Sequence, residues 1–183
     1  ENTPFHPRSP YGISKVAGFD LTRNYRESYG LHTSTGILFN HESERRGFEF
    51  VTRKISQAVA MIKLKKQKYL ELGNLDAQRD WGYAPEYVQA MWLMLQQKTP
   101  DDYVVGTGET YSIKYFVEKA FDVVGLNYQK YVKINKIYFR PAEVELLIAD
   151  YSKIRKKIGW KPKTRIDKLI ERMVINDLKL LKN

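Results

Sequence analysis

The sequence contains no cysteine, which excludes a disulfide framework, a thiolate metal site and a cysteine nucleophile. It also has no run of about 18 apolar residues, the length that a membrane-spanning helix requires, and no secretory signal peptide. Because it starts at Glu1 rather than at methionine, we expect it to be a fragment, or the ordered part, of a longer protein. These absences predict a cytoplasmic protein with no membrane partner and no bound metal.

Positive charge is in excess, since 31 lysine and arginine residues outnumber 21 acidic residues and give a net charge of +10. Such a balance favours anionic partners, which include nucleic acid, a membrane surface and phosphorylated small molecules. The lysines concentrate at 63–68 and at 153–163. A solvated surface is the simpler interpretation of these clusters, because no zinc spacing or recognition-helix pattern accompanies them. We therefore expect no nucleic-acid partner.

Hydrophobic residues make up 43% of the chain and aromatic residues 13%, which indicates a folded globular protein. The first clear element is a helix, because Ser9 is suited to the N-cap and Pro10 to the first helical position. The helix should end near Tyr29, since Gly30 suits the left-handed position that follows a helix.

Strand and helix patterns alternate along the rest of the chain. The segment 32–39 is β-branched and increasingly apolar and predicts a buried strand, whereas the charged segment 40–47 predicts a loop. Apolar residues then recur at helical spacing over 48–64. Further strands are predicted at 69–72, 103–105 and 131–134, an extended segment at 79–83, and helices at 85–97, 112–124, 152–158 and 166–181. This alternation predicts an α/β protein with a mainly parallel sheet.

Gly106-Thr107-Gly108 follows a predicted strand and precedes a predicted helix, where a phosphate-binding glycine loop would lie. The third glycine of the dinucleotide-binding fingerprint is missing, because Tyr111 stands in its position. We therefore interpret 106–109 as a turn between a strand and a helix. The missing fingerprint indicates that a dinucleotide-binding half is not part of this sequence.

Tyr11 and Lys15 form the clearest candidate for chemistry. Residues four apart lie on one face of a helix, one turn from each other. An ammonium next to a phenol stabilises the phenolate and so prepares a tyrosine for acid–base catalysis. The same spacing arises by chance on many helices, so the pair by itself leaves a purely structural role open.

The context of this pair resembles the extended short-chain dehydrogenase/reductase family, in which a segment such as SPYGISK at 9–15 carries the catalytic tyrosine and lysine. Further segments narrow the resemblance to the GDP-mannose 4,6-dehydratases and cover essentially the whole chain. They are ILFNHES at 37–43, RRG at 45–47, FVTRKI at 50–55, LGNLDA at 72–77, RDWGY at 79–83, Tyr87 followed by MWLMLQQ at 91–97, TGET at 107–110, RPAEV at 140–144 and GWKP at 159–162.

The resemblance implies roles for individual residues. Tyr11 would be the catalytic base and Lys15 the ligand of the nicotinamide ribose, so both also contact NADP. The remaining implied contacts are His41 and Arg46 to NADP, and Asn40, Lys54, Arg79, Arg140 and Glu143 to GDP-mannose. These residue types suit the ligands, because arginine offers a planar fork of donors to pyrophosphate oxygens and a carboxylate accepts hydrogen bonds from ribose hydroxyls.

Several of these residues have simpler interpretations when they are considered alone. His41 in a loop would be a solvated or capping histidine, and Arg45 with Arg46 would be a surface charge pair of little energetic value. Trp81 is assigned to the core and not to the site.

The implied fold is the C-terminal part of a Rossmann-like parallel sheet with an interleaved smaller α/β substrate-binding domain. Residues 1–47 would end the NADP-binding domain. Residues 48–183 would mainly form the GDP-sugar-binding domain, with about 84–108 returning to the Rossmann sheet. The N-terminal dinucleotide-binding half would precede the sequence.

The implied activity is that of a hydro-lyase, which converts GDP-D-mannose to GDP-4-keto-6-deoxy-D-mannose, toward GDP-fucose, with NADP as an internal hydride carrier. The family's Ser/Thr partner of the tyrosine and its C5-deprotonating glutamate would lie upstream, because Glu1 is too close to Tyr11 to be that glutamate. We therefore expect these 183 residues to be inactive alone. The Arg45-Arg46 loop is implied to reach a neighbouring subunit, so a homotetramer or a dimer is expected.

The sequence leaves related functions open. A GDP-heptose 4,6-dehydratase would share this scaffold, and a GDP-4-keto-6-deoxymannose reductase would share the tyrosine–lysine pair and the nucleotide. The segments at 40–47 and 79–83 favour a dehydratase over the reductase. A non-catalytic GDP-sugar-binding protein would keep the nucleotide-binding surface without the redox half.

Overall fold

The computed structural model describes residues 1–139, 144 and 146–182. Arg140 and Glu143, two of the predicted substrate contacts, lie outside the described residues. The helices are α1 (Pro10–Tyr29), α2 (Val51–Lys63), α3 (Ala84–Leu95), α4 (Ile113–Val123), α5 (Ser152–Ile158) and α6 (Ile166–Lys182). The strands are β1 (Gly36–Leu38), β2 (Asn40–Glu42), β3 (Leu70–Leu72), β4 (Gln78–Arg79), β5 (Trp81–Tyr83), β6 (Tyr103–Val105), β7 (Tyr111–Ser112) and β8 (Val132–Ile134).

The eight strands of the described chain form four pairs. β1 pairs with β6, β2 with β5 and β3 with β8, all in parallel, and only β4 with β7 is antiparallel. Helices connect the parallel partners, as crossover connections require. The predicted α/β fold with a mainly parallel arrangement is therefore confirmed.

The larger core lies between α2, α4 and α6, which pack against one another and against β3 and β8. Ile55 and Val59 on α2 face Phe116 on α4 and Met173 on α6, and each is at most 1% exposed. Burying a side chain of this size contributes about 1.5–3 kcal/mol. Trp81 belongs to the same core, 3% exposed with its ring 5.4 Å from that of Phe116, as predicted.

A second core lies around α3, β6 and α5. Tyr87 and Met94 of α3 pack with Val105 of β6, with Ile154 of α5 and with Trp160. Helix α1 contributes no buried residue to either core. The predicted division of the chain at residue 47 stays a prediction, although the two cores show that separate groups of elements pack together.

The segment 40–47 differs from the loop that was predicted, because Asn40–Glu42 forms β2 beside β5. The charge in this segment does not prevent a strand, since the Glu42 carboxylate is buried and accepts a hydrogen bond from Thr52. The predicted strand 32–39 is shorter, at Gly36–Leu38. Among the described helices, none has the length and apolar character to cross a membrane.

Candidate active site

Tyr11 and Lys15 lie in the first turns of α1. The Ser9 hydroxyl accepts a hydrogen bond from the Gly12 amide at 3.0 Å, and Pro10 occupies the first turn, so the sequence signals that start this helix operate as expected. The Lys15 ammonium lies 5.1 Å from the centre of the Tyr11 ring. Tyr11 is 71% exposed. The two side chains therefore meet on an open surface.

His41 lies on β2, opposite Gly82 of β5. Its Nδ1 is 2.9 Å from the Phe39 carbonyl oxygen, which leaves Nε2 for another partner. The imidazole also packs on the buried ring of Tyr87, with ring centres 5.1 Å apart. The orientation of His41 is thus fixed by a backbone carbonyl and by an aromatic neighbour. Asn40 precedes it, opposite Trp81.

Arg46 lies in the loop that follows β2. Its Nε is 3.2 Å from the Glu42 carboxylate, although Nε is buried and the pair is not aligned as a hydrogen bond. The guanidinium also lies 3.5 Å from the centre of the Phe50 ring. Within the described part of the chain, Glu42 is the only ion-pair partner of Arg46. Most of the donor fork is therefore available to an anionic ligand.

Glu42 is 1% exposed and accepts a hydrogen bond of 2.6 Å from the Thr52 hydroxyl. Burial raises the pKa of the Glu42 carboxyl to about 7, against the opposing effects of Thr52 and Arg46. The contact also joins β2 to the first turn of α2, which carries Lys54 one residue beyond Arg53. The cofactor and substrate residues predicted on these two elements are thereby held next to each other.

Lys54 lines an open cleft of about 380 Å³. Its ammonium lies 3.8 Å from the centre of the Tyr138 ring. Burial lowers the pKa of Lys54, and the Glu71 carboxylate opposes that change. The other lining residues are Gln57, Ala58, Gln67, Tyr69 and Leu70. A cation, amides, a carboxylate and aromatic rings around one cleft are groups that a nucleotide can use.

Arg79 lies on β4, where its Nη1 donates to the carbonyl oxygens of Gln78 at 2.7 Å and of Val144 at 2.5 Å. The predicted site residues that lie in the described part of the chain thus fall into three groups. These are Tyr11 with Lys15 on α1, Asn40, His41 and Arg46 on β2 and its loop, and Lys54 with Arg79 on α2 and β4. No hydrogen bond, ion pair or ring contact joins the first group to the others among the described residues.

The backbone amides of the turn 106–109 bind a carboxylate of the protein itself. Asp80, fully buried, accepts hydrogen bonds from the amides of Thr107 and Gly108, both at 2.9 Å. These are the amides that a phosphate-binding loop would offer to its ligand. The structure therefore agrees with the interpretation of this segment as a turn.

Two buried charged residues near the site had no predicted role. Arg53 on α2 and Asp177 on α6 are 4% and 2% exposed and form an ion pair of 2.7 Å. The spacing in the sequence could have indicated that both are buried, because each lies on the apolar face of its helix. Arg53 shares that face with Ser56, one helical turn away, and Asp177 shares it with Val174. Charged residues are rarely buried unless they are paired.

The sequence profile of the family described as GDP-mannose 4,6 dehydratase matches residues 1–173. GDP-mannose 4,6 dehydratase 1 of Arabidopsis thaliana is 57% identical over 182 residues, which cover 100% of this chain and 50% of that protein. The human GDP-mannose 4,6 dehydratase is 45% identical over 199 residues, covering 100% and 54%. The chain thus spans about half the length of these relatives.

Solved structures share the fold at lower identity. RMD from Pseudomonas aeruginosa, complexed with NADPH, superposes with a TM-score of 0.90 at 22% identity and covers 98% of this chain and 60% of that one. The dTDP-glucose 4,6-dehydratase of Bacillus anthracis, in complex with NAD, has a TM-score of 0.86 at 18% identity and covers 100% and 56%. These likenesses concern the fold alone.

Proposed function

Because the chain belongs to the GDP-mannose 4,6 dehydratase family, we propose that it forms part of an enzyme that converts GDP-D-mannose to GDP-4-keto-6-deoxy-D-mannose with NADP as cofactor. The observation that carries the proposal is the Tyr11–Lys15 pair, exposed at the start of α1 with the ammonium 5.1 Å from the phenol ring. The proposal concerns a longer polypeptide, because this chain spans about half the length of the relatives named above.

His41 and Arg46 suit a phosphate-bearing nicotinamide cofactor. The Arg46 guanidinium has a single ionic partner in the described part of the chain, and its Nε is buried without an aligned acceptor. A phosphate oxygen is a strong acceptor for such a fork. The His41 imidazole is oriented by Phe39 and Tyr87, and its Nε2 can form a hydrogen bond with the cofactor. When bound, NADP supplies the chemistry of taking up a hydride from the sugar and returning it.

Tyr11 is the group that moves a proton in this proposal. Its phenolate oxygen takes the proton of the sugar 4-hydroxyl as C4 is oxidised, and Lys15 stabilises the phenolate electrostatically. The base that removes the C5 proton is assigned, by the family resemblance, to residues upstream of Glu1.

Lys54 and Arg79 would hold the GDP part of the substrate. Lys54 projects into the cleft of about 380 Å³ together with Glu71 and Tyr138. A pyrophosphate needs fixed cations, and ring faces with a neighbouring carboxylate suit a nucleoside. Asn40, Arg140 and Glu143 complete the proposed set, the last two from the family resemblance alone.

The test is turnover of GDP-mannose by the longest natural polypeptide that contains this sequence, with the product identified as the 4-keto-6-deoxy sugar. Tyr11→Phe should lower kcat by about 10²–10⁴-fold, the usual contribution of a positioned acid or base. Tyr29→Phe is the matched control, because Tyr29 lies at the other end of α1 and is similarly exposed, at 68%. Full activity of Tyr11→Phe would overturn the proposal.

The sugar is decided in the same assay by offering GDP-heptose beside GDP-mannose. Higher kcat/KM with GDP-heptose would replace the proposed substrate by that of the related dehydratase. Binding of either GDP-sugar without turnover by the longest polypeptide would favour the non-catalytic binding protein. The cytoplasmic location stays a prediction from the sequence, and the dimer or tetramer stays a prediction of the family resemblance.

A further inference from the structure

Arg53 is a cation buried behind the loop 43–47. It lies in the first turn of α2 and is 4% exposed. Its Nη2 is 2.7 Å from a carboxylate oxygen of Asp177 on α6. Asp177, in turn, accepts a hydrogen bond of 2.6 Å from the Ser56 hydroxyl. The charge of Arg53 is thus compensated inside the core, as a buried ion requires.

The other nitrogen of the Arg53 fork faces the loop. Nη1 donates a hydrogen bond to the Glu44 carbonyl oxygen and lies 3.5 Å from that of Arg46. The guanidinium also lies 4.8 Å from the centre of the Phe48 ring. One buried side chain therefore holds two carbonyls of the segment that carries Arg46, and Asp177 holds that side chain.

A second tie joins the same loop to α6 from the solvent side. Arg172 Nε donates to the Glu44 carboxylate at 2.8 Å, and Arg172 Nη2 donates to the Tyr83 hydroxyl at 2.7 Å. Inside the loop, the amide of Arg46 donates to the Ser43 carbonyl at 3.1 Å. Helix α6 thus contacts the loop directly through the exposed Arg172 and indirectly through Asp177, which binds the buried Arg53 of α2.

We propose that Arg53 and Asp177 are positioning residues of the cofactor site, which hold the loop 43–47 in the shape in which Arg46 binds a phosphate of NADP. The inference rests on the proposed function, in which Arg46 contacts this cofactor. Arg53 acts through the backbone of Arg46 and touches no ligand itself. A guanidinium that is fixed before binding loses less freedom when it meets its ligand, which strengthens the complex.

The test measures the dissociation constant for NADP in the longest natural polypeptide that contains this sequence. The main variant is Arg53→Met with Asp177→Leu, which removes both charges at once, because an apolar replacement of a buried pair commonly keeps the fold. We expect this variant to stay folded and to bind NADP about tenfold more weakly, and Arg46→Ala to weaken binding to a similar extent.

The triple variant distinguishes a positioning role from an independent one. Because Arg53 acts through Arg46, the triple variant should bind NADP no more weakly than Arg46→Ala alone. Residues that share one effect are non-additive, whereas independent residues add. Additive losses in the triple variant would overturn the inference, as would wild-type affinity in the paired Arg53 and Asp177 variant.

A second readout needs no cofactor. Hydrogen exchange of the amides at 43–47 should be faster in the paired variant, while the amides of α4 (Ile113–Val123) stay protected. The matched control removes an exposed ion pair on α6, the helix that carries Asp177, by Lys168→Gln with Glu171→Gln. It should change neither NADP affinity nor exchange at 43–47. Unchanged exchange of the loop in the paired variant contradicts the inference.

Different results would contradict the cofactor role of Arg46 and the positioning role of Arg53 and Asp177. If Arg46→Ala binds NADP normally, the assignment of Arg46 to the cofactor is wrong, and the inference falls with it. If Arg46→Ala weakens binding but the paired variant does not, only the inference is wrong. Should the paired variant fail to fold, Arg53→Lys replaces it, because lysine keeps the charge beside Asp177 and lacks the fork that reaches the loop.

Discussion

Arg26 and Asp102 form two parallel hydrogen bonds, of 2.9 Å from Nη1 and 2.7 Å from Nη2, which join α1 to the segment before β6. Arg26 also donates to the Thr33 carbonyl at 3.1 Å, and Asp102 accepts from the Thr35 amide at 2.9 Å. Burial alone would raise the pKa of Asp102, but the hydrogen bonds of Arg26 and Thr35 lower it. Because α1 has no buried residue within this chain, this pair is an anchor between the helix that carries Tyr11 and the rest of the chain.

Replacing Arg26 by lysine should therefore loosen α1. Lysine keeps the charge but cannot make both bonds to Asp102 at once, so the free energy of unfolding should fall by about 1–2 kcal/mol. Hydrogen exchange of the amides in α1 should rise together with this loss. Arg23→Lys is the control, since Arg23 forms an exposed pair with Asp20 on the same helix and should cost less than about 0.5 kcal/mol. Equal losses in both variants would contradict the anchoring role.

Gly82→Ala should destabilise the protein. A Cβ at Gly82 would lie 2.3–2.7 Å from the ring and hydroxyl of Tyr87, and Tyr87 is fully buried and cannot move aside. Overpacking of this kind costs about 1–3 kcal/mol, which urea unfolding would measure. The same variant should disturb His41, which lies opposite Gly82 and packs on Tyr87.

Gly18→Ala should raise the free energy of unfolding, whereas Gly82→Ala should lower it. Gly18 lies within α1 and a Cβ there would meet nothing within 4 Å. Alanine is favoured over glycine in a helix by about 0.5–1 kcal/mol, so this variant should be more stable than the wild type. If Gly82→Ala were as stable as the wild type or more stable, the packing argument for Gly82 would be wrong, whereas a destabilised Gly18→Ala would contradict only the helix-propensity argument.

The elements that were predicted most closely are those with signals within a few residues. Helix α1 begins at Pro10 after the Ser9 cap and ends before Gly30, whose φ is 64°, because capping and left-handed backbone depend on local chemistry. The contact between Tyr11 and Lys15 follows from their spacing on the helix. Such features could be predicted because no distant residue is needed to form them.

What the sequence could not predict depends on distant partners. Strand β2 contains charge, and it forms because β5 pairs with it and because Thr52 accommodates the buried Glu42. The partner of Arg53 is on α6, far along the chain. The roles of His41 and Arg46 came only from the family resemblance, because no local pattern distinguishes a ligand contact from a surface charge.

Asp80→Asn should destabilise the turn 106–109. One oxygen of Asp80 accepts from the amide and hydroxyl of Thr107, and the other accepts from the amides of Gly108 and Ala149. An asparagine would turn an NH₂ group toward N–H donors, so we expect a loss of about 2–3 kcal/mol in the free energy of unfolding. Asp76→Asn, at an exposed position, should stay within about 0.5 kcal/mol of wild type. A similar small change at Asp80 would show that the buried carboxylate is dispensable.

The buried carboxyl of Glu42 should make the stability of the protein depend on pH. Burial raises the pKa of its carboxyl from 4.5 to about 7 in the folded protein, so between these two pH values the folded state binds a proton that the unfolded state has released. The free energy of unfolding should then fall as pH rises from about 4.5 to 7 and level off above. For this group alone the fall amounts to about 3 kcal/mol.

Glu42→Gln isolates this effect, because glutamine keeps an oxygen that can accept from Thr52 but carries no titrating proton. Urea unfolding of wild type and variant at pH 5, 6, 7 and 8 should give curves that converge at the acid end. They should separate as pH rises, with the variant the more stable protein near pH 8, because only the wild type must then hold a buried anion. Arg46 compensates part of that charge, so its removal in Arg46→Ala should make the gain from Glu42→Gln larger, and an unchanged gain would mean that Arg46 does not stabilise the Glu42 anion. Parallel curves at every pH would contradict the assignment of a raised pKa to Glu42.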